Sequence, residues 1–155
     1  PDIFKTSNYA GAQLNYKAVF LNDSIVPTKG FTFFGNATYT QNLQNNHSFE
    51  SYAGIIQSYI PLFAKFSLAI RARGATVSGD PMFYQLPHLG GPDELRGYVR
   101  ERFWGNTAFT NSNELRFITN FKSHLFNGKI GLALFYDEGR VWVPNENSDI
   151  WQPGY

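Results

Sequence analysis

Hydrophobic and polar side chains alternate along most of this chain, and polar, turn-forming residues separate the alternating runs. In the clearest run, residues 31–40, one face carries Phe, Phe, Gly, Ala and Tyr, and the other carries Thr, Phe, Asn, Thr and Thr. Because successive side chains of a strand point to opposite faces, this pattern predicts a strand with one apolar face. Similar alternation, least clear in the second run, occurs in residues 13–20, 48–60, 66–76, 109–119 and 129–138. The sequence therefore predicts an all-β protein with about six antiparallel strands.

The breaks between these runs have the composition of turns and loops. Short turns are predicted at residues 22–30, 41–47 and 127–128. A much longer break covers residues 77–107 and is rich in glycine, proline and charge. It also contains large apolar residues, which a disordered segment would lack. We expect this long loop to pack against another part of the fold.

The two faces of the predicted strands differ in chemistry as well as in polarity. The apolar faces carry Phe, Leu, Ile and Tyr with almost no charge, whereas the polar faces mix small residues with a few ionic ones. A soluble sheet would expose a solvated face richer in Lys and Glu. The pattern therefore favours a transmembrane β-barrel with lipid outside and a polar lumen inside. From alternation alone, a soluble all-β barrel or sandwich fits about equally well.

Composition narrows the class of protein further. The 155 residues suit one domain or part of a larger one, and their 16% charged content lies below the roughly 25% of typical soluble domains. A net charge of +1 argues against a nucleic-acid binder. The absence of cysteine excludes disulfides and thiolate-ligated metals, and the scattered histidines have no ligand spacing. A mean hydropathy of −0.31, without a long apolar stretch, excludes a helical membrane protein.

Three motifs, in order along the chain, carry a resemblance to a known family. The first lies in the long loop and consists of Leu95, Arg96, Gly97 and Tyr98. The second is NELRF at residues 113–117, and the third is FYDEGRVW at residues 135–142. Together they resemble the signature of the BamA/TamA outer-membrane assembly and secretion barrel superfamily. The resemblance covers about residues 66–155, and the earlier part of the chain agrees in strand pattern only.

The resemblance implies an ion cluster inside the barrel. In this family the loop folds back into the lumen, and its arginine is held by acidic residues on the two following strands. By strand alternation Glu114 and Asp137 both lie on the polar face of strands that are neighbours if they form a hairpin. The guanidinium of Arg96 can hold carboxylates bidentately. We therefore expect an Arg96–Glu114–Asp137 cluster that fixes the loop to the barrel wall.

Three other arginines are candidates for lining the lumen, namely Arg71, Arg73 and Arg116. The first two lie on the polar face of the same predicted strand. They could line a pore, or they could pair with acidic loop residues such as Asp93 or Glu94. No residue is predicted to be catalytic or to bind a metal, and no cofactor is expected.

The resemblance also implies the size of the whole barrel. Barrels of this family have sixteen strands, with the signature loop between the twelfth and the thirteenth. Residues 1–155 would then form one partial outer-membrane β-barrel segment, roughly strands nine to fourteen. The alternative is a small, complete eight-stranded barrel.

The function implied is non-enzymatic: insertion of outer-membrane β-barrel proteins, or translocation of polypeptide, in the bacterial outer membrane. Expected partners are membrane lipid, an unfolded barrel client or secreted polypeptide, and periplasmic or lipoprotein accessory subunits, but not nucleic acid. One alternative is a barrel that anchors or exports a periplasmic hydrolase fused outside this chain. Others are a passive pore or adhesin barrel, and a soluble binding module.

Overall fold

A computed structural model describes residues 8–123, 127–146 and 150–154. Within those residues, six long strands form the wall: β1 (Tyr9–Leu21), β2 (Gly30–Asn42), β3 (Ser48–Pro61), β4 (Phe66–Gly79), β7 (Thr107–Lys122) and β8 (Asn127–Trp142). The short elements are a 3-10 turn (Phe83–Gln85), β5 (His88–Leu89), β6 (Phe103–Trp104) and β9 (Gln152–Gly154). None of the described helical segments is long and apolar enough to span a bilayer.

The long strands form one antiparallel sheet in the order β1-β2-β3-β4-β7-β8, and β9 adds to the outer edge of β8. This confirms the predicted all-β fold. The sheet is open, with β1 at one edge. β5 and β6 form a separate two-stranded sheet within the segment that joins β4 to β7. That segment, residues 80–106, is called the long loop below.

The strands are longer than their alternating patterns predicted. They contain 13 to 16 residues, so even the shortest spans about 43 Å, enough to cross a tilted bilayer path. The turn predicted at residues 127–128 was wrong, because those residues belong to β8 and pair with β7 as far as Lys122↔Asn127. Similarly, β4 continues to Gly79, inside the predicted loop. Backbone hydrogen bonds sustain a ladder beyond the point where side chains stop alternating.

The register separates two faces of the sheet. The inner face, which the long loop covers, includes Arg71, Ser112, Glu114, Phe135 and Asp137, as the pairs Arg71↔Ser112, Glu114↔Phe135 and Ser112↔Asp137 show. The outer face is apolar, and its most exposed large apolar residues are Leu14, Leu132 and Leu134, with exposed fractions of 72%, 75% and 75%. An apolar surface of this extent indicates contact with lipid or another apolar partner.

β3, whose pattern was ambiguous, has large apolar residues on both faces. Its outer face carries Tyr52 and Ile56, both about half exposed, whereas Tyr59 on the inner face is 9% exposed. Tyr59 pairs with Ala69 in β4, and the guanidinium of Arg116 lies 5.4 Å from the centre of its ring. The inner aromatic residue is therefore packed beneath a cation rather than facing open lumen.

The described core lies between the long loop and the inner face. Leu89 and Leu95 of the loop are 2% and 0% exposed, and they are the most buried large apolar residues of the sheet assembly. Gly139 in β8 makes room for Leu89, since a Cβ at this position would lie 3.1 Å from Leu89 Cδ1. The loop thus packs against the fold, as predicted, and it does so through two loop leucines that are buried against the inner face.

A second long-range contact lies at the opposite end of the strands. Lys129 in β8 donates to the carboxylate of Asp23, in the turn between β1 and β2, at 2.8 Å. Hydrogen bonds from Lys129, and from the backbone of Val26 and Ile25, hold the pKa of Asp23 well below its usual range. This ion pair connects the turn between β1 and β2 to β8, the sixth long strand.

Candidate functional site

The tip of the long loop is a tight turn that aims Arg96 at the wall. The N–H of Leu95 donates to the carbonyl of Gly91 at 3.0 Å, and the two residues form an isolated bridge. Gly91 and Gly97 have φ values of +102° and +89°. A side chain at either position would be strained, so glycine is the residue that fits. The turn buries Leu95 and leaves Arg96 against β7 and β8.

Arg96, Glu114 and Asp137, which the sequence predicts to form an ion cluster, lie in direct contact. Arg96 donates from Nε and Nη2 to the two oxygens of Asp137, at 2.6 and 2.5 Å, and from Nη1 to Glu114 Oε1 at 2.5 Å. The backbone N–H of Arg96 also donates to Asp137 Oδ2, at 3.2 Å. Asp137 is fully buried, whereas the side chains of Arg96 and Glu114 retain 23% and 20% exposure. The bidentate geometry ties the loop tip to two neighbouring strands at once.

The carboxylates of the cluster favour the charged form of Arg96, its member on the loop. The hydrogen bonds to Asp137 raise the pKa of Arg96 above its ordinary value, and burial opposes them only in part. The guanidinium also lies 3.8 Å from the centre of the Phe135 ring, a cation–π distance. The sequence analysis placed Phe135 in the third motif but did not assign it to the ion cluster, although by strand alternation Phe135 shares the inner face with Asp137.

Arg116 extends the cluster along β7. Its Nε donates to Glu114 Oε2 at 2.7 Å, and its Nη2 lies 2.5 Å from the same oxygen. Glu114 therefore lies between two arginines, Arg96 on the loop and Arg116 on its own strand. The four groups alternate in sign in the order Arg116, Glu114, Arg96, Asp137. Alternation of this kind offsets part of the cost of placing charges in a partly dry interior.

Arg71 and Arg73 contact the loop rather than an open channel. Arg73 forms an ion pair with Glu94, and their side chains are 27% and 14% exposed. Arg71 donates to the main-chain carbonyl of Asp93, not to its carboxylate. Pairing with the loop, one of the two alternatives for these arginines, is thus the arrangement present. β4 therefore holds the loop at Asp93 and Glu94, whereas β7 and β8 hold it at Arg96.

We expect Arg73→Gln to loosen the loop by about 1–2 kcal/mol, less than loss of Arg96, because Glu94 keeps some solvent contact and Arg71 still binds Asp93. The measurement is the rate of protease cleavage within residues 80–106 under native conditions, which reports local opening. Arg102→Gln is the matched control, since Arg102 is an exposed arginine of the same loop. Cleavage of Arg73→Gln at the control rate would contradict this second tether.

The last residues of the signature motif contact the end of the described chain. The hydroxyl of Tyr98 lies 3.5 Å from Gln152 Oε1 in β9, and its ring packs edge-on against Phe103 at 5.2 Å. A Cβ at Gly154 would overlap the carbonyl oxygen of Arg96. Sequence reasoning missed the contribution of β9. Its only local signal is a glycine beside a proline, which is equally typical of a turn.

No group of three or more potential ligands for a metal ion occurs in the part of the chain that the structure describes. The contacts of the site are charge pairs, in which carboxylates on the inner wall hold a cationic loop tip. Such an arrangement positions a loop inside a sheet.

A protein-family model, the Omp85 superfamily domain, matches residues 5–153. The chain belongs to the Omp85 superfamily. The match confirms the resemblance to BamA/TamA barrels, and it extends that resemblance from the loop and its flanking strands to β1–β3. A search of the curated proteins finds no match. Omp85 proteins are outer-membrane proteins of Gram-negative bacteria that act in protein insertion or translocation, and in general they are not enzymes.

Proposed function

We propose that this Omp85 domain is a segment of a BamA/TamA-type barrel that inserts β-barrel proteins into the outer membrane or passes polypeptide through it. The observation that carries the proposal is the bidentate grip of Asp137, with Glu114, on the loop residue Arg96. It fixes the long loop against the inner wall of a sheet whose outer face is apolar. Lipid is then the partner of the outer face.

The physical role of the loop in this proposal is to brace one side of the barrel. Arg73 and Arg96 connect it to β4, β7 and β8, which lie next to each other in the sheet. A client strand can pair with the edge of a barrel strand only when that edge is unpaired. A barrel that inserts or translocates polypeptide must therefore open at strands other than the braced ones. A braced wall lets a distant seam open without loss of the whole fold.

In this proposal residues 1–155 are part of a larger, sixteen-stranded barrel, with the signature loop at about residues 77–107. The remaining strands, and periplasmic or lipoprotein accessory subunits, would be its partners. The contacts of Arg71 and Arg73 with Asp93 and Glu94 favour bracing over a passive pore, whose arginines would face open water.

The test is reconstitution of the full-length protein that contains this chain into lipid vesicles. We expect it to accelerate the folding of an urea-unfolded outer-membrane β-barrel, detected by its heat-modifiable migration, or to move an unfolded polypeptide into the vesicle lumen, detected by protease protection. Empty vesicles, and vesicles that contain an unrelated barrel of similar size, are the controls. Neither activity above the controls would refute the proposal.

A further inference from the structure

A polar cavity of about 120 Å³ lies between the long loop and the inner face, beside the ion cluster. Its polar lining comes from β3, β4, β7 and the loop and consists of Gln57, Arg71, Arg96, Ser112, Glu114 and Arg116. Ala69 of β4 and the loop residue Pro92 supply the apolar part of the lining. The cavity is thus bounded by wall and loop together, and it exists only while the loop is docked.

The charges around this cavity do not balance. Three arginines face it against one carboxylate, that of Glu114. Glu114 is already shared between Arg96 and Arg116, and Asp137 is committed to Arg96. Among the described residues, Arg71 forms no ion pair with a carboxylate; it donates to the main-chain carbonyl of Asp93. An excess of positive charge in a small, partly dry space favours an anion.

One hydroxyl in the lining of the cavity, that of Ser112, lacks a hydrogen-bond partner among the described residues. The hydroxyl of Ser112 is buried, at 5% exposure of the residue, and has no hydrogen-bond partner within the described chain. Buried polar groups are normally paired, and an unpaired one calls for an explanation such as a bound ion. Ser112 pairs with Arg71 across the β4–β7 ladder, so the two donors are neighbours on the inner face.

We propose that this cavity binds a small tetrahedral oxyanion of the size of inorganic phosphate, held by Arg71, Arg116 and Ser112. Guanidinium groups present paired N–H donors that match the oxygens of such an anion. The volume of about 120 Å³ admits one small oxyanion. The bound anion would link Arg71, which holds Asp93 of the loop, to Arg116 of the ion cluster. Anion binding would therefore favour the docked loop.

The proposal is independent of whether the barrel inserts or translocates polypeptide. The experiment is calorimetric titration of inorganic phosphate into the full-length protein, folded in detergent in a buffer of low ionic strength. We expect one saturable site. Arg71→Gln should weaken its affinity by roughly tenfold or more, as loss of a hydrogen bond from a charged group does, and Ser112→Ala by about fivefold.

The matched control is Lys17→Gln, which removes one positive charge from the polar face of β1, away from the cavity. It should leave the phosphate affinity within twofold of the wild type. Heat-modifiable migration verifies that each variant is folded, and Ser112→Ala remains informative if Arg71→Gln does not fold. Absence of saturable binding by the wild type would overturn the proposal. Equal weakening by Lys17→Gln, or binding of acetate as tight as that of phosphate, would overturn it as well.

Discussion

Replacing Arg96 by alanine should destabilise the folded barrel by about 3–5 kcal/mol, the largest effect we expect from a single substitution in this chain. The reason is the position of Asp137, which is fully buried and receives three hydrogen bonds from Arg96. Without the guanidinium, its carboxylate is left in the interior with only a backbone donor. An uncompensated buried charge is far more costly than a missing surface contact.

The loss is measured by urea-induced unfolding of the full-length protein in lipid vesicles, followed by tryptophan fluorescence and heat-modifiable migration. Arg100→Ala is the matched control, because Arg100 is an exposed arginine four residues further along the same loop. We expect the control to change the free energy of unfolding by less than about 0.5 kcal/mol. If Arg96→Ala and Arg100→Ala had the same free energy of unfolding, the ion cluster would not contribute to the stability of the fold.

The second large effect is the coupling between Arg96 and Asp137. Asp137→Asn removes the buried charge, and Arg96 keeps its bond to Glu114. We therefore expect Asp137→Asn to cost less than Arg96→Ala. The double variant Arg96→Ala, Asp137→Asn should be more stable than Arg96→Ala alone, because a neutral amide is easier to bury than an unpaired carboxylate.

A double-mutant cycle measures this coupling, which we expect to be about 2–3 kcal/mol for groups in direct bidentate contact. The same unfolding assay supplies all four free energies. Leu115→Ala, an outer-face change on β7, provides a reference pair with Arg96→Ala. That pair should be additive, since Leu115 faces away from the cluster. Additivity of the Arg96 and Asp137 substitutions would show that the two side chains do not support each other.

The strand framework could be predicted because alternation is a local property. Each residue of a strand alternates sides, so the inner position of Glu114 and Asp137 followed from counting along β7 and β8. The ends of the strands could not be found in this way. Residues 127–128 have a turn composition, yet the ladder between β7 and β8 includes them. Pairing depends on the partner strand, which the local sequence does not specify.

The long-range contacts of the loop were the least predictable part of the site. Motif resemblance pointed to Arg96, but nothing in the sequence shows that Arg71 binds a main-chain carbonyl instead of the Asp93 carboxylate. The packing of Gly154 against the carbonyl of Arg96 was likewise missed. Such contacts arise from how the loop lies on the wall, and that depends on the whole sheet.

The central claim is that a loop braced by the ion cluster serves a barrel that inserts or translocates polypeptide. Its most direct test is the vesicle assay run on the wild type and on Arg96→Ala, with equal amounts of folded protein verified by heat-modifiable migration. The account predicts that the wild type accelerates client folding or passage and that Arg96→Ala loses most of this activity, while Arg100→Ala retains it. Full activity of folded Arg96→Ala, or none in the wild type, would contradict it.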